Sequence, residues 1–121
     1  ERLVQENFLV REPGSGTRMS LDVYLSELPG RTDVPGIEMG SNETIKQAVM
    51  AGLGIALISA HTIALEVEQK RLAVLDVEGM PIRRQWFSMS RAERSLTPVM
   101  KSFEDFLQLR GAAFLPHVEG A

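Results

Sequence analysis

Gly40-Ser41-Asn42-Glu43-Thr44-Ile45-Lys46-Gln47-Ala48-Val49-Met50-Ala51-Gly52-Leu53-Gly54-Ile55-Ala56-Leu57-Ile58-Ser59 is the stretch that decides the fold. Gly40 closes the short run Ile37-Glu38-Met39, which reads as a strand. Ser41 or Asn42 is a good helix cap, because a short side-chain oxygen can accept a hydrogen bond from an otherwise unpaired N–H of the first turn. Ile45, Ala48, Val49 and Gly52 recur on one helical face. Gly52 and Gly54 suit a helix stop and a tight reversal, where positive φ is cheap only for glycine. Ile55 to Ile58 is then a short apolar run, as expected of a strand buried on both faces. Loop, helix, turn and buried strand in that order make half of an α/β unit. The helix start also offers unpaired N–H groups and the positive end of the helix dipole, so Ser41-Asn42 is a candidate anion site as well as a cap.

The same arrangement occurs earlier in the chain. Asn7-Phe8-Leu9-Val10-Arg11 reads as a strand with an apolar centre. Glu12-Pro13-Gly14 breaks it, and Ser15-Gly16-Thr17 opens a helix. Leu21, Tyr24, Leu25 and Leu28 form an amphipathic stripe at i, i+3, i+4 and i+7, and Pro29-Gly30 stops it. Two strands, each followed by a polar glycine turn and a helix start carrying small hydroxyl residues, place both helix N-termini along one edge of a parallel sheet. Ligands in open α/β sheets bind beyond the carboxyl ends of the strands, so the two starts are candidate donors to one ligand.

The remainder alternates in the same way. Asp33 to Gly36 is expected to turn. A helix follows Ser59 with Ile63, Ala64 and Val67 inward, ending near Lys70. Leu72 to Val77 is expected as a short strand and Gly79-Met80-Pro81 as a turn. Ile82 to Ser90 is the longest expected strand, with Trp86 and Phe87 pointing to substantial burial. Thr97-Pro98 is a helix start, a threonine cap with proline at the first helical position. Val99, Phe103, Phe106, Leu107 and Arg110 share a face, Lys101, Glu104 and Asp105 lie on the other side, and Gly111 follows the end. Ala112 to Ala121 has little pattern and is expected to fray. The alternation makes α/β with a mostly parallel sheet the expected class.

Composition excludes several functions. The chain has 121 residues, one ordinary domain, with a formal net charge of −3 that argues against gripping nucleic acid by itself. There is no cysteine, and the 2 histidines, His61 and His117, are far apart, which leaves no spacing for a metal site. No run approaches the ~20 apolar residues of a membrane span. The start at Glu1-Arg2-Leu3, without a signal peptide or initiator methionine, suggests a piece of something longer. Gly14-Ser15-Gly16 is a poor nucleotide fingerprint: Ser20 stands where a third glycine belongs, and no acidic residue is placed to read a ribose. Ser15 or Ser41 with His61 and Asp76 makes a triad only on paper, since no nucleophile elbow is present. The carboxylates are scattered, and strand alternation separates Arg83 from Arg84.

Taken together, Arg11-Glu12-Pro13-Gly14-Ser15-Gly16-Thr17-Arg18, the 40–59 stretch, Pro81-Ile82-Arg83-Arg84-Gln85-Trp86, and Leu96-Thr97-Pro98 through Phe103-Glu104-Asp105-Phe106-Leu107 resemble the effector-binding domain of LysR-type transcriptional regulators. The wording of the central stretch and the tryptophan strand is similar to the branch that controls RuBisCO (Calvin-cycle) operons. The resemblance implies a type 2 periplasmic-binding-protein-like α/β effector domain of two lobes with a small ligand between them, no enzymatic activity and no cofactor. It places residues 1–81 in the second lobe, 82–90 in a crossing strand, 91–111 in a helix of the first lobe and 112–121 in a frayed tail. It implies a small anionic effector, a phosphorylated metabolite or NADPH, bound by Ser15, Gly16, Thr17, Arg18, Gly40, Ser41 and Asn42, with Arg18 as the charge partner of a phosphate. It further implies a cytoplasmic homo-oligomer, dimer or tetramer, that meets DNA through a helix-turn-helix domain outside this chain. A solute-binding protein of a transporter shares the fold and is the alternative; it needs a signal peptide. The apolar face of Val99, Phe103, Phe106 and Leu107 is expected to fold back, pair with another copy or swap between copies.

Overall fold

A computed structural model of the chain describes residues 2–28, 36–93 and 95–118. After a short 3-10 helix at Arg2–Gln5, the order is β1 (Phe8–Arg11), α1 (Gly16–Ser26), β2 (Gly36–Met39), α2 (Asn42–Met50), α3 (Ala60–Glu68) and α4 (Pro98–Arg110), with a 3-10 turn at Gly111–Phe114. The helix stop at Pro29-Gly30 and the start of the turn at Asp33 fall outside the described residues.

β1 is the axis of the packed part. It pairs in parallel with β2, in register from Phe8 opposite Gly36 to Arg11 opposite Met39. On its other side it bridges Ile55, where the Leu9 N–H donates to the Ile55 carbonyl at 2.8 Å and the Ile55 N–H donates to the Asn7 carbonyl at 2.9 Å. Successive side chains of a strand point to opposite faces, and β1 buries both. Phe8 and Val10 pack with Leu21 and Leu25 of α1, and Leu9 packs with Ile45 and Ala48 of α2. Leu9 and Ile45 are each 1% exposed. The expected strand at Ile55–Ile58 keeps the alternation, Ile55 and Leu57 joining the α1 side and Ala56 and Ile58 the α2 side, although the bridge is confined to Ile55. Gly52 has the positive φ of 79° that its turn requires, and a Cβ on Gly54 would strike the Asn7 carbonyl oxygen. The Gly-Leu-Gly is therefore needed where the chain reverses and slides against β1.

Three expectations change beyond α3. Residues 72–77 and 82–90 form no ladder among the described residues, because no second strand lies beside them to exchange hydrogen bonds. Trp86 is 81% exposed, so the expected burial of the aromatic pair does not occur. The tail is more ordered in form than its pattern suggests: 111–114 makes a 3-10 turn, Phe114 sits on Phe106 with ring centroids 5.4 Å apart, and Val118 is buried. Residues 119–121 of that tail lie outside the described residues. α4 begins where its cap is, with the Thr97 hydroxyl accepting from the Met100 N–H at 3.3 Å and Pro98 in the first turn. Among the described residues α4 packs only against the 3-10 turn that follows it. Its apolar face does not fold back on the β1 layer, and Val99 remains 79% exposed.

Candidate functional site

The parallel register ends β1 at Arg11 level with β2 at Met39. Both connections leave the sheet there, and both helices start there: α1 after Ser15 and α2 after Ser41. Ser15, Gly16, Thr17 and Arg18 thus share one sheet edge with Gly40, Ser41 and Asn42. Arg11 joins the two sides, since its guanidinium donates to the Asn42 side-chain oxygen at 2.8 Å. The same group is held by both oxygens of Glu12 at 2.7 Å, and the Arg11 carbonyl accepts from the Arg18 guanidinium at 3.3 Å. The hydrogen bond from Arg11 drives the Glu12 carboxyl down from 4.5 to about 2. Arg11 is held charged in return, chiefly by that same bond.

The two serine caps are in different states. The Ser41 hydroxyl accepts from the Thr44 N–H at 3.0 Å and meets the Thr44 hydroxyl at 2.8 Å. That hydroxyl is occupied with closing its own helix. Ser15 stands at the cap of α1 with extended backbone, yet its side chain makes no capping bond. Its backbone is engaged at both ends, the N–H donating to the Glu12 carbonyl at 3.2 Å and the carbonyl accepting from the Met19 N–H at 2.9 Å. The first turn of α1 carries no acidic side chain, so nothing there opposes the positive end of the helix dipole. Arg18 donates to Asp22 at 2.8 Å, an i,i+4 ion pair along α1.

One residue at this edge has no signal in the local sequence. Arg84, from the unpaired 82–90 segment, reaches the first turn of α1 and donates to the Gly16 carbonyl at 3.4 Å and to the Ser20 hydroxyl. Strand alternation separates Arg83 from Arg84, but it does not say which element either meets. A second tie lies nearby, where the Tyr24 hydroxyl donates to the Glu78 carbonyl at 2.7 Å.

Away from this edge, Lys46 of α2 bridges Glu66 of α3 at 2.8 Å and Glu43 at 2.9 Å. The Lys46 hydrogen bond lowers the Glu66 carboxyl, and the Glu66 hydrogen bond is the largest influence raising Lys46. Glu43 is also lowered, first by the Gln47 amide and then by Lys46. These groups satisfy one another and tie α3 to α2. Among the described residues no group of three or more metal-ligating side chains comes together, and His61 is exposed.

The edge therefore offers, among the described residues, a hydroxyl that makes no cap bond, a helix start without a side-chain cap and clustered guanidinium groups, which is chemistry for holding an anion. Among the described residues it brings together no nucleophile paired with a base.

The LysR substrate binding domain family matches residues 1–112. The chain is 58% identical over 118 residues to the HTH-type transcriptional regulator CbbR of Sinorhizobium medicae, covering 98% of this chain and 38% of that protein. It is 47% identical over 106 residues to the RuBisCO operon transcriptional regulator of Allochromatium vinosum, covering 88% of this chain and 35% of that protein. The regulatory domain of Synechocystis PCC6803 CcmR, solved in complex with 2-PG, superposes with a TM-score of 0.77 at 37% identity, over 88% of this chain and 50% of that one. The chain thus spans well under half the length of these curated relatives. The relatives are regulators rather than transporter solute-binding proteins. No helix among the described residues is long and apolar enough to cross a membrane. The chain belongs to the LysR substrate-binding domain family, in its type 2 periplasmic-binding-protein-like α/β fold, with the carbon-fixation regulators as its relatives.

Proposed function

We propose that this chain is the effector-sensing part of a regulator of carbon-fixation genes, and that a small anion binds at the edge where α1 and α2 begin. The Ser15 hydroxyl, at a helix start where it makes no cap bond and with no acidic side chain in the first turn, is the observation that carries this reading. Ser15 and the amides of Gly16 and Thr17 receive the anion, Gly40 lies in the neighbouring loop, and Asn42 is held in place from Arg11. Ser41 supports the site by capping α2. Residues 1–81 form one lobe of the effector domain, 82–90 cross to the other, and 91–111 belong to that other lobe. The regulator acts as a cytoplasmic homo-oligomer, binds DNA through a part outside this chain, and is not an enzyme.

The test is thermal unfolding of the full-length protein with 2-PG, ribulose bisphosphate, phosphoglycerate, phosphoenolpyruvate, NADPH and simple carboxylates. A ligand at about 100 times its dissociation constant adds about 2.7 kcal/mol. The expected result is a shift with one anion that Ser15→Ala abolishes. A shift of equal size in Ser15→Ala would move the site elsewhere.

A further inference from the structure

Three guanidinium groups gather around the start of α1, and they differ in what neutralises them. Arg11 faces the Glu12 carboxylate at 2.7 Å. Arg18 faces the Asp22 carboxylate at 2.8 Å. Arg84 has only neutral partners among the described residues, the Gly16 carbonyl and the Ser20 hydroxyl. A guanidinium already paired with a carboxylate has its charge largely neutralised, so a second anion gains less by binding it. One held by neutral oxygens keeps its charge available, and its planar fork matches two oxygens of a carboxylate or phosphate.

Release of Arg84 also leaves nothing unsatisfied behind it. Its bond to the Gly16 carbonyl, at 3.4 Å, is beyond the usual range for N–H···O. That carbonyl accepts from the Ser20 hydroxyl at 2.8 Å as well, so both oxygens keep a partner when Arg84 leaves. No orphaned polar group opposes the move. The distance to travel is short. One guanidinium nitrogen lies 3.6 Å from where a Cβ on Gly16 would stand, and Ser15 is the adjoining residue.

We propose that Arg84, rather than Arg18, is the charge partner of the effector: it moves from Ser20 and Gly16 to make a bidentate pair with the carboxylate or phosphate group of an anion held at Ser15. This rests on the anion site proposed above and names the side chain that reads the charge. It also makes the 82–90 segment the part of the chain that moves when ligand arrives.

The test is calorimetric titration of the full-length protein with 2-PG, with inorganic phosphate and with succinate, which separates phosphate from carboxylate recognition. The variants are Arg84→Ala, Arg84→Gln, Arg18→Ala and Ser20→Ala. Arg84→Ala and Arg84→Gln are each expected to weaken the anion that the wild type binds by about tenfold or more, the loss expected of a charge-assisted pair. Arg84→Gln keeps a hydrogen-bonding side chain of similar reach and decides the matter if the alanine variant does not fold. Ser20→Ala, which removes a competing partner, is expected to bind as well as wild type or better, and Arg18→Ala is expected to bind like wild type. Unchanged affinity in Arg84→Gln, with a lower melting temperature in the absence of ligand, would make Arg84 a latch and overturn the proposal. A loss in Arg18→Ala alone would restore Arg18. If the wild type binds none of the three probes, the anion site itself fails, and this assignment with it.

Discussion

β1 and α4 both carry apolar faces and meet opposite fates. β1 buries Phe8 and Val10 on one side and Leu9 on the other, against two different helices. α4 presents Val99, Phe103 and Leu107 at i, i+4 and i+8, and all three remain exposed among the described residues. The difference is not in the pattern but in the partners. β1 finds α1 and α2 within a few dozen residues of sequence, each delivered by a short turn. α4 follows a segment with no ladder partner, so nothing returns it to the sheet. Periodicity reports that a face is apolar; it does not report what covers it.

Substitutions can break this contrast, and the largest effect belongs to β1. Leu9→Ala or Ile45→Ala removes a side chain with no room to relax and is expected to cost about 2–5 kcal/mol in chemical denaturation. A loss below about 1 kcal/mol would mean that the β1 layer is far looser than its burial implies.

The caps give the next effect and separate the two helix starts. Ser41→Ala removes a bond to the Thr44 N–H and is expected to cost about 1 kcal/mol. Ser15→Ala removes no cap bond and is expected to leave unliganded stability unchanged. Equal losses in the two variants would show that Ser15 caps α1 in solution and is not free for a ligand.

Acid titration probes the ties around the β1 layer. The folded Glu12 carboxyl is lowered from 4.5 to about 2, so its contribution is complete above the higher value and disappears as pH falls through the lower one. Glu66 is shifted in the same direction by Lys46, and its contribution is lost with the same sign. Melting temperature is therefore expected to fall between pH 4.5 and about 2, and Arg11→Ala is expected to flatten the Glu12 part of that fall. An unchanged acid profile in Arg11→Ala would show that the Arg11–Glu12 pair does not persist in solution.

The smallest effect sharpens the contrast most. In the 121-residue chain, Phe103→Ala is expected to change stability by no more than about 0.5 kcal/mol, because the side chain covers little. A loss as large as that of Leu9→Ala would show that the face is covered in solution, and dilution would tell whether a second copy covers it.

The legibility of the sequence follows the same division. β1, α1, β2 and α2 were readable because their apolar periodicity is local and their partners are near in sequence. The strand expected at Ile82–Ser90 does not form among the described residues, since a strand exists only with a neighbour to exchange hydrogen bonds, and the residues that suggest one do not name it. Placing the seven candidate site residues at one sheet edge followed from two strand-turn-helix units. Which of two chemically equivalent serines is free did not, because it depends on local geometry at each cap. The Arg18–Asp22 pair was readable from its i, i+4 spacing along the helix. Arg84 was beyond reach, its contacts with α1 spanning 64 and 68 residues with no periodicity to announce them.

The most direct test of the anion edge is a backbone amide NMR titration of the full-length protein with 2-PG. Perturbations are expected to concentrate at residues 15–18 and 40–42, with smaller ones along 82–90. Perturbations centred on α3 or α4, with residues 15–18 silent under saturating ligand, would contradict the proposed site.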